Sequence, residues 1–275
     1  MRRGRLLIGL VIAAISLISY YSLRQENPIT GETQHIAMNV DQEVALGLET
    51  APQMAREMGG LDPDDNVQRL VSQVGERIVQ GSAARQTPYQ FRFYALADPQ
   101  TVNAFALPGG PVFITRGLLS RLQNEAQLAG ILGHEVGHVV GRHTAAQIAK
   151  NQLAQGLIGA VGVAGSDEYG SGQHAAQLAA LAAQIVQMKY GRGHEIQSDT
   201  LGVRLMAQAG YDPRALLDVM QILSEASGPG RGPEFMSTHP DPGNRRQVIT
   251  QAIQRHFPNG VPANLTLGAR FASAP

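Results

Sequence analysis

The sequence predicts a helix-dominated α+β domain with one small sheet, preceded by an apolar N-terminal helix. Three observations predict this. Most stretches place apolar residues three and four apart, the mark of a helix with one buried face. Residues 89–119 instead carry aromatic and β-branched residues in short alternating runs. The first 24 residues hold an uncharged run from Leu6 to Leu23 behind Arg2, Arg3 and Arg5.

At 275 residues the chain has room for one good-sized domain with a real core. Its 22 basic and 22 acidic residues cancel, which argues against nucleic acid as a partner. There is no cysteine. A disulfide framework, a thiol nucleophile and a lipid-bearing cysteine are therefore excluded. Any metal must be held by histidine and carboxylate.

The run Leu6–Leu23 is at the lower edge of the length that spans a bilayer, and Tyr20 and Tyr21 stand where an aromatic belt falls. A cleaved signal peptide is the alternative, with Ala14-Ile15-Ser16 as a weak processing site. Either way the rest of the chain is sent outward. Three arginines before the run, against Arg24 after it, place the N-terminus in the cytoplasm.

Residues 25–34 read as a polar linker. Asp41–Met58 carries Val44, Leu48, Ala51 and Ala55 at helical spacing. Asp62-Pro63-Asp64-Asp65 starts the next helix, with Val67, Leu70, Val71, Val74 and Ile78 on one face and Gly81 as its stop. The strand YQFRFYALAD follows at 89–98. NAFALPGGPVFITRGLL, 103–119, reads as two strands around a Pro-Gly-Gly turn. A long helix then begins at Ser120, which with Gln123 forms a capping-box pattern.

HEVGH, 134–138, lies inside that helix among Gly130, Gly133, Gly137 and Gly141. Each helix glycine costs about 1 kcal/mol relative to alanine, so four of them imply backbone packed close to a neighbour. Residues 156–172 read as a glycine-rich loop. Residues 175–188 read as an apolar helix, serving as core, lid or membrane contact. Further helices are expected at Glu195–Ala209, ended by Gly210, then from Asp212-Pro213 to Leu223, and from Gly243 to Phe257. A flexible loop is expected at 226–233. Residues 258–275 form a tail without period.

His134 and His138, four apart on a helix, share one face and can grip one metal ion. Hydrolytic zinc sites keep three protein ligands and one open position for water. A glutamate beside the first histidine points toward that position and can act as base. Glu135 is that residue. The third ligand is sought downstream. Glu195 and Asp199, also four apart, could supply a ligand and a group that orients a ligand histidine. A solvated helix face is the plainer reading of that pair. His143 and His194 are further candidates, although His194 points about 100° away from Glu195 on a helix.

HEVGH with Gly141-Arg142-His143, followed by Glu195-x-x-x-Asp199, resembles the M48 family of zinc metallopeptidases. NAFALPGG, AGYDP at 209–213 and STHPDPGNR at 237–245 resemble further landmarks of that family, and the resemblance covers residues 35–257. It implies a zincin-like metallopeptidase domain whose sheet lies next to the HEVGH helix. It implies one Zn2+ per chain on His134, His138 and Glu195, with Asp199 behind them and Glu135 as catalytic acid and base. His239, in the His-Pro landmark, is implied either as a catalytic oxyanion donor or as a latch on the open zinc position.

The sequence is most similar to the short, envelope-facing bacterial members. Two departures touch the charge around the site: Gln197 stands where many members have an acidic residue, and Gly191-Arg192 where many have Ser-Arg. Arg245 and Arg192 are candidate donors, with surface or structural salt bridges as the commoner role. His143 is expected to be structural and bonded to backbone. Asn103–Leu107 offers a strand edge on which an extended substrate can pair.

The resulting expectation is a single-pass endopeptidase of the inner membrane. Its domain lies in the periplasm and its substrates are polypeptides, misfolded envelope proteins among them. A soluble periplasmic form is the alternative topology. The alternative functions are a chaperone or assembly factor with a latched protease site, and an anchor protein stabilised by zinc.

Overall fold

The computed structural model describes residues 2–165, 190–226, 234–240 and 243–271. Helix α1, Arg2–Ser22, carries the apolar run. From Gly4 to Ser22 it is long and apolar enough to cross a membrane, and nearly all of it is uncovered by protein. Residues 25–34 fall in a hairpin of β1, Arg24–Glu26, and β2, Thr33–His35. Asn27 and Gln34 from that hairpin donate to the carbonyls of Val140 and Gly141. The hairpin thus ties α1 to the end of the HEVGH helix.

Helix α2, Val40–Glu57, begins with a reciprocal capping box between Asn39 and Gln42. Its buried face is shifted from the expected one. Ala51 and Ala55 are buried, but Leu48 is 40% exposed, and Glu43, Gly47, Thr50 and Met54 turn inward instead. The cause is tertiary. Glu43 is drawn in by Arg142, and a Cβ on Gly47 would lie only 1.9 Å from the Pro108 carbonyl oxygen. Helix α3, Asp65–Gln80, starts from the Asp64 cap and stops at Gly81 as its pattern predicts.

The sheet has the order β3-β5-β4, from Arg92–Leu96, Pro111–Thr115 and Ala104–Ala106. β5 lies in the centre, parallel to β3 and antiparallel to β4. The Pro-Gly-Gly turn needs its glycines. Gly109 and Gly110 have φ of 75° and 132°, and a Cβ on Gly109 would fall 2.3 Å from Val44 Cα.

The HEVGH helix starts later than its sequence suggests. Ser120 ends a short helix α4, Arg116–Leu119, that buries Leu118 and Leu119. Asn124 is the true cap, accepting from the Gln127 amide, and α5 runs Glu125–Val140. Burying the two leucines forces the chain to turn before the helix can begin. Every residue of α5 after Glu125 is buried. Its glycines meet neighbours: Gly130 faces Leu216, Gly133 faces Gly202 and Met206, and Gly137 faces Ser198 and Leu201.

Those partners lie on α7, Arg192–Gln208, and α8, Ala215–Glu225. The chain leaves α5 through Arg142, whose φ is 56° and whose guanidinium is held by Glu43, Gln25 and the Met38 carbonyl. Helix α6 then runs His143–Gly165. The stretch expected as a loop from residue 156 is thus helical as far as 165. The expectations for 175–188 and for 227–233 lie outside the described residues.

The short α9, Glu234–Thr238, and α10, Arg245–His256, complete the helices. The segment after Pro258 lies on the domain: Glu125 and Ala126 amides donate to the Ala269 and Leu267 carbonyls, and Asp212 donates to Thr266.

Candidate metal centre

Four side chains converge at the centre of the domain. His134 and His138 come from α5, Glu195 from the first turn of α7, and His239 from just after α9. All four are at most 2% exposed, and one donor atom from each lies within 4.8 Å of the others. His134 Nε2 and His138 Nε2 are 3.0 Å apart. Glu195 lies 3.5 Å from the first and 3.4 Å from the second. His239 Nδ1 is 3.3 Å from His134 Nε2 and 3.2 Å from Glu195. The close packing of α5 on α7, permitted by Gly137 and Gly202, brings the two ends of this set together.

The surrounding hydrogen bonds set which nitrogen faces inward. His134 Nδ1 donates to Asp199 Oδ1 at 2.9 Å, which turns Nε2 toward the cluster. Asp199 is in turn held by Arg245, which donates to both of its oxygens. His143 Nε2 donates to Gln197 Oε1 at 2.5 Å, so its Nδ1 is free to accept. His138 Nδ1 donates to that atom at 2.9 Å, and its Nε2 lone pair also turns inward. Once His134 gives up its Nε2 proton, two imidazole lone pairs and a carboxylate point at one spot. Such a set is costly in the absence of a cation and is the donor chemistry that zinc takes. The residues present fit a zinc ion held by His134, His138 and Glu195.

The titration of these groups follows. Burial drives His138 well below the usual histidine range, and the neighbouring imidazoles add to this. Burial also pushes His143 down, to about 3, helped by His194. Both rings are neutral, as the tautomers above require. Burial opposes the charge on Glu195 and Asp199, but the groups facing them outweigh it. His239 and His134 hold Glu195 below the carboxylate range, and Arg245 does the same for Asp199. Glu135 differs. It is fully buried, neither carboxylate oxygen has a hydrogen-bond partner, and burial raises its pKa. Its nearest basic group is His239 Nε2, at 3.6 Å.

The remaining candidates separate clearly. Arg245 lies inside the site, 3.4 Å from Glu195 as well as on Asp199. Arg192 is exposed at the start of α7. His143 is bonded to side chains and not to backbone, a correction to its expected role; it opens α6 and reaches back over Gly141 to the candidate ligand His138. His194 stays outside the ligand set and stacks on His143 at 4.4 Å. Gln197, a departure from the family pattern, is the acceptor that orients His143. β4 is an edge strand, buried along its length, and Asn103 Oδ1 beside it has no hydrogen-bond partner.

Sequence reasoning missed Tyr190 and Phe235. Tyr190 packs on His138 with ring centroids 4.0 Å apart, its hydroxyl bonded to Thr144. Phe235 stacks on His239 at 4.4 Å. An aromatic two residues before the glutamate-bearing helix and another four before His239 were the available signals.

The family model for peptidase family M48 matches residues 65–253, which include every ligand candidate. The chain belongs to peptidase family M48. Members of this family use zinc, in keeping with the donor set described. The chain is 31% identical to a beta-barrel assembly-enhancing protease of Yersinia pestis, over 79% of this chain and 45% of that protein. It is 28% identical to the protein of that name from Escherichia coli, over the same shares. It is also 29% identical to the mitochondrial metalloendopeptidase OMA1 of Schizosaccharomyces pombe, over 91% of this chain and 72% of that one. The chain thus spans about half the length of the bacterial relatives it matches.

Proposed function

We propose that this chain is a membrane-anchored zinc endopeptidase that hydrolyses polypeptides of the cell envelope. The observation that carries the reading is Glu135, a buried carboxylate with no hydrogen-bond partner beside the inward-facing donors of His134, His138 and Glu195. A structural zinc site has no use for such a base. When bound, zinc supplies Lewis acidity and lowers the pKa of water at the site.

Glu135 takes the proton from the attacking water on a carboxylate oxygen and passes it to the nitrogen of the leaving amine. Its burial, which favours the protonated form, suits a group that must hold that proton between the two steps. Asp199 fixes the ring of His134, and Arg245 fixes Asp199. Arg245 is therefore a positioning residue, not an oxyanion donor. His239 Nδ1 lies among the donor atoms, which favours its role as a latch over that of an oxyanion donor. The unpaired edge of β4, once uncovered, suits an extended substrate that pairs by backbone hydrogen bonds.

The apolar run of α1, with three arginines before it and one after, supports an anchor whose N-terminus is cytoplasmic and whose domain faces the periplasm or an equivalent compartment. The names of the bacterial relatives support envelope proteins as substrates. The closed, fully buried donor set favours one second reading: an assembly factor whose protease site is latched.

The test is zinc content and casein cleavage of the full chain in detergent, for wild type and Glu135→Gln. Zinc near one per chain in both, with cleavage falling about 10²-fold or more in the variant, supports the peptidase. A variant as active as wild type removes Glu135 from the mechanism. Zinc in both with no cleavage in either points to the latched assembly factor.

A further inference from the structure

We infer that the second half of α6 lies in the same bilayer as α1, so that the metal centre is held just outside the membrane surface. The inference rests on the membrane-anchor reading of α1 and goes beyond it.

Helix α6 packs along α1. The hairpin β1–β2 sets the direction: it follows α1 directly and is bonded to Val140 and Gly141, just before α6 begins. The start of α6 therefore lies by the end of α1, and the two helices run antiparallel. Their contact is close. A Cβ on Gly156 would fall 2.3 Å from Ser16 Oγ, an approach that only a small residue allows and that suits helix packing in lipid.

Polarity along α6 matches that placement. Six residues separate Ser16 from Ser22, so the position on α6 six residues before Gly156 is level with the outer end of α1. That position is Lys150, the last charged residue of α6; the fifteen residues 151–165 carry none. Polar side chains lie toward its aqueous end, at Gln147, Lys150, Asn151, Gln152 and Gln155. Beyond them the face turned away from α1 is apolar and uncovered: Ile158 is 71% exposed and Val161 74%. Helix α1 also carries an exposed apolar face, through Val11, Ile15 and Ile18. Exposed apolar surface of this kind, on a helix packed along one that crosses the bilayer, is covered by lipid.

The consequence concerns the substrate. His143 opens α6 and bonds the ligand candidate His138. From His143 to Lys150 the helix rises about 10 Å at 1.5 Å per residue. That distance is about three residues of extended chain. The substrates assigned by this geometry are the segments that flank membrane-embedded polypeptides.

The absence of cysteine makes the test direct. Single cysteines are introduced in the full chain at Ile158 or Val161, with Ile15→Cys as bilayer control and Leu267→Cys as aqueous control. Each is labelled with a polarity-sensitive fluorophore and reconstituted in vesicles containing nitroxide-labelled lipid. Ile158→Cys and Val161→Cys are expected to be quenched as strongly as Ile15→Cys, and several-fold more than Leu267→Cys. Quenching of Ile15→Cys alone overturns the inference and leaves the anchor standing. Quenching of none of the three overturns the anchor itself. In the same vesicles, a casein segment fused to a transmembrane helix is compared with the free segment. Cuts are expected to shift toward the helix; an unchanged cut pattern overturns the assigned substrate class.

Discussion

Arg245 donates two hydrogen bonds to Asp199, of 2.8 and 2.7 Å, and the same carboxylate accepts from His134. The arginine comes from α10 and the aspartate from α7, so two helices jointly fix the ring of a residue on α5. All three side chains are fully buried. The arginine cancels the charge of the aspartate, and the aspartate is then free to hold one tautomer of the histidine.

Asp199→Asn should therefore weaken zinc binding without removing a ligand. An amide is a poorer acceptor, and the Arg245 charge loses one of its two carboxylate partners. The expected loss in zinc affinity is about 10–100-fold, read by competition with a chromophoric chelator. Affinity equal to wild type would mean that the ring of His134 is held by packing alone.

The pair His143–Gln197 makes the same argument for His138. His143→Phe keeps an aromatic ring on His194 but removes the acceptor that fixes the His138 tautomer. Zinc affinity should fall by about tenfold or more, while the unfolding midpoint of the metal-free protein changes less. A variant that binds zinc as wild type does would leave His143 with a packing role only.

Zinc binding should depend on pH through His134. Burial lowers its pKa, but Asp199 and Glu195 more than offset this and raise it to about 9 in the metal-free protein. Because the folded pKa lies above the unfolded value, its contribution to metal-free stability is complete below about pH 6.5. That contribution is lost as pH rises through 9. Zinc must displace this proton, whereas His138 is already neutral. Affinity should thus rise about tenfold per pH unit up to about pH 9 and level off above it. A flat profile from pH 7 to 9 would show that His134 binds no proton in the metal-free protein.

His239→Ala tests the latch. With its imidazole among the donor atoms, the site lacks an open position. Removing it should raise casein cleavage several-fold while zinc stays bound. A fall in cleavage with zinc retained would assign His239 to oxyanion stabilisation, where losing one donor costs about 10²–10³ in kcat.

Much of the site was legible because it is local. The period of a helix puts His134 above His138 and Glu195 above Asp199, whatever the rest of the chain does. The four glycines of the HEVGH stretch signalled close packing, and the neighbours they meet explain them. The start of α5 was misplaced because Ser120 obeys a stronger local demand, the burial of Leu118 and Leu119. The buried face of α2 was misjudged because Glu43 turns inward to a cation 99 residues away.

By itself the sequence determined which residues share a helix face, that any metal must sit on histidine and carboxylate, and that the N-terminus is apolar enough to span a membrane. Only the tertiary structure decided that His239 joins the donor set, that Arg245 is spent on Asp199, that Gln197 orients His138 through His143, and that α6 lies along α1. The reason is the range of the forces that select each arrangement. Helical neighbours follow from backbone geometry over four residues, whereas these contacts join groups far apart in the chain, and burial of the whole core chooses among them.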